Sequence, residues 1–307
     1  MSTPSLQARM MLAIMKTRRK LTPAAPGGDY TALRADFAER NAHLPLEPGV
    51  AFIDAGEFGG VPVEVAALEG VDPDDAPVAV LYLHGGGFAM GDRSTGRSFT
   101  SYLAALTGFP VYSCSYRLAP EHKAPLAALD CLTVYRQLLR DSPDRPVVVV
   151  GESAGASLAL VTALWARDEG VVPPAALVAF SPVTNLADDL PSRTTNAESD
   201  IALSGDGVKA LAEIYGGGAD LRDPYVSPAF GDFRGFPPLF LVADRSEVVI
   251  DDSDALAESV RAAGGSVEYH VTEGLFHTFQ LLGHLLPEAE AIMRETVDFI
   301  QRHTTRP

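Results

Sequence analysis

Cysteine is almost missing. Cys114 and Cys131 are the two in 307 residues, and no CxxC pair exists. That excludes disulfide scaffolds, zinc ribbons and thioredoxin-like redox chemistry. Both lie in apolar segments, so we read them as buried, reduced thiols. Basic charge is scarce as well: 24 Lys and Arg face 40 Asp and Glu, a formal net charge of −16. A surface this acidic repels nucleic acid and anionic lipid headgroups, so neither nucleic acid nor a membrane is an expected partner. Long apolar runs are lacking; none approaches the ~20 residues of a membrane span. The short apolar run at 10–15 precedes its basic residues, Lys16, Arg18, Arg19 and Lys20, the reverse of a signal peptide's order. The expectation is a cytoplasmic chain. There is no GxGxxG, no P-loop and no HExxH motif, hence no expected cofactor and no expected metal. Internal repeats and low-complexity tracts are absent.

What is present suits one large core, with 47% hydrophobic residues. Eight strand-like runs stand out, at 50–54, 61–68, 78–83, 111–116, 147–150, 176–180, 239–243 and 267–271. The first two flank Gly59-Gly60 and predict a hairpin. The others alternate with helical stretches at 97–106, 125–140, 154–168, 253–263 and 287–303, the last of these helices amphipathic. Asp251 or Asp252 is the expected N-cap of the fourth. Such alternation predicts an α/β fold, a mostly parallel eight-stranded sheet with helices on both faces. Two segments fall outside the rhythm. Residues 1–45 are helix-prone and precede the first strand; residues 185–222 are polar and Gly-rich, with a helical stretch near 208–215. We expect 46–307 to form the catalytic domain and these two segments a small helical cap. The apolar cluster Met10, Met11, Leu12, Ile14 and Met15 is expected to dock over the site.

Chemistry concentrates in three places. Gly151-Glu152-Ser153-Ala154-Gly155 follows the four-valine run 147–150 and opens a helix. A GxSxG turn between strand and helix lifts a serine above the sheet edge. The helix N-terminus beneath it favours developing negative charge. His84-Gly85-Gly86-Gly87 follows the strand at 78–83. Glycines let backbone amides approach an oxyanion closely, and the amide of Ala154 would complete the hole. His84 is read as holding this loop. In a strand–turn–helix serine hydrolase the order is serine, acid, histidine. Of His270, His277, His284 and His303, only His277 sits in a loop directly after the last strand. The acid follows the preceding strand, where Asp244, Glu247, Asp251 and Asp252 are candidates; spacing alone leaves this open.

These residues resemble the hormone-sensitive-lipase-like family of esterases over residues 45–305. The resemblance rests on HGGGFAMGD (84–92), YRLAPEHKAP (116–125), GESAG (151–155), DPYVSP (223–228), the acid loop 247–252 and GLFHTFQ (274–280). It implies the α/β-hydrolase fold, an N-terminal cap, ester substrates of small size, no cofactor and frequent homodimers. It also implies a Ser153–His277–Glu247 triad, with Gly86, Gly87 and Ala154 as oxyanion donors and Gly85 shaping their turn. Ser115 stands where the family usually has Asp, Glu152 where Asp or Thr is commoner, and Ala156 and Ser157 where other small residues are frequent. The expected reaction is hydrolysis of short- to medium-chain acyl esters through an acyl-enzyme. A lactone or amide substrate, acyl transfer, or a non-catalytic receptor are the rivals.

Overall fold

The computed structural model describes residues 4–21 and 29–305. Residues 1–3 and 22–28 of the expected N-terminal cap lie outside these, as do 306–307. Two helices, α1 (Leu6–Leu21) and α2 (Tyr30–Ala42), precede the sheet. β1 (Val50–Phe58) and β2 (Val61–Leu68) form the expected hairpin. Its two turn residues, Gly59 and Gly60, have φ of 61° and 87°, the positive pair a two-residue type I′ turn demands. β3 (Ala79–Leu83), α3 (Arg97–Thr107), β4 (Val111–Cys114), α4 (Leu126–Asp141), β5 (Val147–Glu152), α5 (Ala154–Asp168) and β6 (Ala176–Phe180) then alternate. Two helices of the 185–222 segment follow, α6 (Ser192–Thr195) and α7 (Gly205–Gly216). The chain closes with β7 (Leu239–Asp244), α8 (Ile250–Ala262), β8 (Val267–Thr272) and α9 (Pro287–Thr304).

The strand order is β1-β2-β4-β3-β5-β6-β7-β8. Pairing is antiparallel for β1/β2 and β2/β4 and parallel from there on. Helices cover both faces, so the central strands are apolar along most of their length. The side chains divide by the two-residue period of a strand. Leu81, Val149, Leu177 and Leu241 enter the core beneath α4, α5 and α8. Val80, Val150, Val178 and Val242 enter the other, against α3 and α9. Each fully buried aliphatic side chain contributes about 1.5–3 kcal/mol relative to exposure. Cys114 and Cys131 are buried and free. Among the described residues no helix is long and apolar enough to cross a membrane.

The apolar cluster of α1 divides. Met11, Leu12 and Met15 pack against the α3/α9 core, whereas Met10 and Ile14 are exposed. Ser5 ties the start of α1 to Glu288 through its amide and hydroxyl, at 2.6 and 2.9 Å. α2 is fastened instead by Arg34, whose guanidinium reaches the carbonyls of Ala89 and Ala119 (both 2.8 Å) and pairs with Glu121.

The N-cap expected at Asp251 or Asp252 is corrected. α8 begins earlier, at Ile250 with Val249 as its cap, and both aspartates lie in its first turn. Their carboxylates are drawn into long-range bonds. Asp251 accepts from the Ser192 amide at 2.8 Å. Asp252 accepts from the amides of Thr184 and Asn185 at 2.8 and 2.9 Å and pairs with Arg193 at 2.7 Å. Both members of that ion pair are buried; burial pushes the Asp252 carboxyl up even against the Arg193 charge. Removing one partner of a buried pair strands the other. Arg193→Met is therefore expected to destabilise the fold by about 3 kcal/mol at neutral pH. A urea titration checks it as a lower midpoint at unchanged slope.

Candidate active site

The site lies along the C-terminal edge of the parallel strands. Ser153 sits between β5 and α5 with φ 54° and ψ −122°, a conformation that non-glycine residues hold only when their surroundings impose it. Here the surroundings are tight. A Cβ on Gly151 would strike the Gly155 carbonyl, and one on Gly155 would strike the carbonyls of Leu83 and His84. The Ser153 amide is fixed to the Phe180 carbonyl at 2.8 Å. The turn thus closes only with glycine on both sides, and Ser153 projects at the head of α5.

His277 lies in the loop after β8. Its Nε2 is 2.8 Å from Ser153 Oγ, and its Nδ1 is 2.6 Å from Glu247 Oε2. Glu247, fully buried, follows β7. Its other oxygen, Oε1, accepts from Ser181 Oγ at 2.8 Å and from the Asp244 amide at 2.6 Å. Burial opposes charge on His277, but the hydrogen bond to Glu247 and the charges of Glu247, Asp200 and Glu152 outweigh it and raise the imidazole. An imidazole held this way can take a hydroxyl proton from Ser153 and remain stabilised as the cation.

The alternative acids point elsewhere. Asp244 is buried, and its carboxylate accepts from the Ser246 amide and hydroxyl, Thr272 Oγ1 and the Leu275 amide. It fastens the loop that carries His277. Asp251 and Asp252 serve the 184–192 segment, as above. His270 lies within β8 beside Glu295, and His284 pairs with Glu47.

The 84–92 loop is braced by aromatic stacking. The His84 ring lies on Tyr116 at 4.2 Å between centroids, and the Tyr116 hydroxyl donates to the His84 carbonyl at 2.6 Å. Burial pushes the His84 imidazole down to about 4, so it is neutral. Gly85 gives its amide hydrogen to the Glu152 carboxylate. Among the described residues no hydrogen bond of the loop uses the amides of Gly86 and Gly87; together with Ala154 they line the cavity beside Ser153.

That cavity holds about 250 Å³. α2 contributes Phe37 and Asn41, the turn after it Leu44, and the 185–222 segment contributes Leu186, Leu203, Val208 and Leu211. A Cβ on Gly87 would meet the Leu211 side chain at 2.6 Å, so α7 packs directly over the glycine loop. None of the α1 methionines lines the cavity; α2 does so in their place. A larger open groove of about 650 Å³ runs along the opposite edge of the sheet, past Arg145 and Thr304, remote from Ser153. Sequence reading passed over Ser181, whose place at the end of β6 beside the acid strand was its only signal. The expected cap segment 1–45 contains α2, but within it Phe37 and Leu44, the latter just past the helix, lie in no motif.

A family model described as the alpha/beta hydrolase fold matches residues 80–281. An acetyl-hydrolase of Streptomyces hygroscopicus is 36% identical, covering 73% of this chain and 76% of its own. The esterase LipU of Mycobacterium tuberculosis is 34% identical over 78% of this chain and 84% of its own. The crystal structure of an esterase from the bacterial hormone-sensitive lipase family superposes with a TM-score of 0.90 at 29% identity, covering 99% of this chain and 100% of that one. With an eight-stranded, mostly parallel sheet, a serine elbow after β5 and kinship of this extent, the chain belongs to the α/β-hydrolase fold family, among its hormone-sensitive-lipase-like esterases.

Proposed function

We propose that this carboxylic ester hydrolase cleaves short- to medium-chain acyl esters through Ser153, His277 and Glu247 by way of an acyl-enzyme. The observation that carries the reading is His277 bridging Ser153 Oγ and Glu247 within hydrogen-bond distance of both. His277 takes the hydroxyl proton as Ser153 Oγ attacks the ester carbonyl. The carbonyl oxygen becomes an oxyanion, received by the amides of Gly86, Gly87 and Ala154. Glu247 holds the Nδ1–H tautomer and stabilises the imidazolium. The tetrahedral intermediate collapses, the C–O bond to the alcohol breaks, and His277 returns the proton to the leaving alkoxide. Water, deprotonated by the same imidazole, repeats the sequence on the acyl-serine and releases the carboxylic acid. In this reading α2 and the 185–222 segment form the cap, and exclude bulk water from the intermediate.

Substrate size follows from the cavity. An enclosure of about 250 Å³ lies below the usual range for drug-sized ligands, so acyl chains of roughly two to eight carbons should be preferred. The Streptomyces relative is likewise named an acetyl-hydrolase. The test is kcat/KM over a series of aryl esters of rising acyl length, with a lactone and an aryl amide beside them. A dispersed long-chain triglyceride completes the panel. We expect a maximum among the short esters and no jump in rate at the solubility limit of the triglyceride. A jump there, or a maximum at long chains, would overturn the size assignment. A lactone or amide preferred over every ester would overturn the reaction class.

A further inference from the structure

One titratable group in the cavity wall has no part in the Ser–His–Glu chain. Glu152 stands between Gly151 and Ser153, is buried, and lines the cavity beside Gly86 and Gly87. Its Oε1 accepts the Gly85 amide hydrogen and lies 3.4 Å from the Tyr82 hydroxyl. The approach is so close that a Cβ on Gly85 would overlap the carboxylate. Burial pushes Glu152 up to about 7, against the Gly85 amide, the nearby His277 and the Tyr82 hydroxyl, all of which favour the charged form.

A buried carboxyl is costly unless its bonds are needed. Its one short bond reaches the glycine loop at the Gly85 amide. Gly86 and Gly87 hold φ of 108° and 62°, and neither has a side chain to lock it. On one side the loop is fixed by Tyr116 on the His84 carbonyl, and beyond it by the Met90 amide on the Gly86 carbonyl at 3.0 Å. Between these points the Gly85 carbonyl accepts from His84 Nδ1 at 2.7 Å, and the Gly85 amide is held by the Glu152 carboxylate. Glu152 is joined covalently to Ser153, so this bond couples the loop to the nucleophile itself.

Resting on the esterase reading above, we propose that Glu152 is a positioning residue: by holding Gly85 it aims the Gly86 and Gly87 amides at the oxyanion formed on the carbonyl attacked by Ser153. Oxyanion donors act at about 2.7–3.1 Å, and a displacement near 1 Å costs on the order of 100-fold. The longer Glu suits the task. One methylene less, as in Asp, withdraws the carboxylate from Gly85.

Two variants of nearly equal shape separate this from a packing role. Glu152→Gln keeps an oxygen acceptor for Gly85; Glu152→Met does not. With a short aryl ester, E152Q should retain kcat within about tenfold, while E152M should lose on the order of 100-fold in kcat with KM changed little. Affinity for an aryl boronate, which mimics the tetrahedral intermediate, should fall in parallel with kcat. Equal kcat and equal boronate affinity in E152M and E152Q would overturn the proposal. Should E152M fail to fold, Glu152→Asp takes its place: a loss of kcat supports the proposal, and wild-type kcat overturns it. Ser153→Ala, run alongside, keeps the two readings apart. An inactive S153A with a fully active E152M removes the positioning role alone, whereas an active S153A removes the esterase mechanism beneath it.

Discussion

Ser153→Ala should lose kcat for ester hydrolysis on the order of 10⁵–10⁶-fold, leaving the residual rate that binding and the oxyanion donors provide. The fold should be untouched. Ser153 donates its amide to the Phe180 carbonyl, and alanine keeps that bond. The side chain removed touches His277 and little else. Relief of the positive φ offers nothing, since alanine tolerates φ 54° no better than serine. An aryl phosphonate should label wild type at Ser153 with a stoichiometry near one, and should leave S153A unlabelled. Ser157 and Ser181 are the instructive controls. Ser157 Oγ is buried against the Val183 carbonyl and Ser181 Oγ against Glu247. Label at either would refute the assignment of the nucleophile.

Glu247→Gln is expected to lower kcat about 10⁴-fold, as tautomer-reversing changes do in other serine hydrolases. The reasoning is specific to the bonds around the carboxylate. The glutamine oxygen can keep the Ser181 hydroxyl and the Asp244 amide as donors. Its nitrogen must then face His277 Nδ1. An NH₂ donates only, so Nδ1 turns acceptor and the imidazole proton moves to Nε2, where it faces Ser153 and blocks deprotonation. Loss of the negative charge also lowers His277, because Glu247 is the main influence raising it against burial. A base with a raised pKa is neutral only at higher pH. In E247Q the acid limb of the residual activity should therefore move to lower pH. Asp244→Asn is the comparison. It loosens the bonds to Thr272 and Leu275, and should cost about 1–3 kcal/mol of stability with a far smaller loss in kcat. If D244N loses more kcat than E247Q while both stay folded, Asp244 is the acid.

Much of this architecture was legible because its signals are local. Four valines between turn residues read as a doubly buried strand, and the structure extends that strand to Glu152. The Gly59-Gly60 hairpin follows from two positive φ angles, a demand that falls on two adjacent residues. The carboxylate that meets His277 was harder. Asp244, Glu247, Asp251 and Asp252 lie within one turn-rich stretch, and what distinguishes them is what each reaches: Thr272 and Leu275, His277, Ser192, and Arg193 with Thr184. Those partners lie roughly 30 to 70 residues away along the chain, beyond any local pattern. The same cause misplaced the start of α8, since capping rules assume that a side chain serves its own helix. The methionine-rich helix misled for a different reason. Apolar residues announce that they need a partner without naming it, and Met11, Leu12 and Met15 find theirs in the α3/α9 core.

Consider, finally, the strands behind the chain of hydrogen bonds at the site. Ser153 follows β5, Ser181 follows β6, Glu247 follows β7 and His277 follows β8, and these four strands are consecutive neighbours in the sheet. The chain therefore runs across the sheet from β5 to β8 and back: Ser153 to His277, His277 to Glu247, Glu247 to Ser181. Synthesis meets the same strands in order, and a domain generally folds as a unit. Residue 277 is made 124 positions after Ser153. Until β8 docks, Ser153 Oγ lacks its hydrogen bond to His277, the base of the proposed mechanism. On the proposed mechanism reactivity is thus acquired only once the β8 end of the sheet is in place, and a chain arrested earlier carries Ser153 without His277.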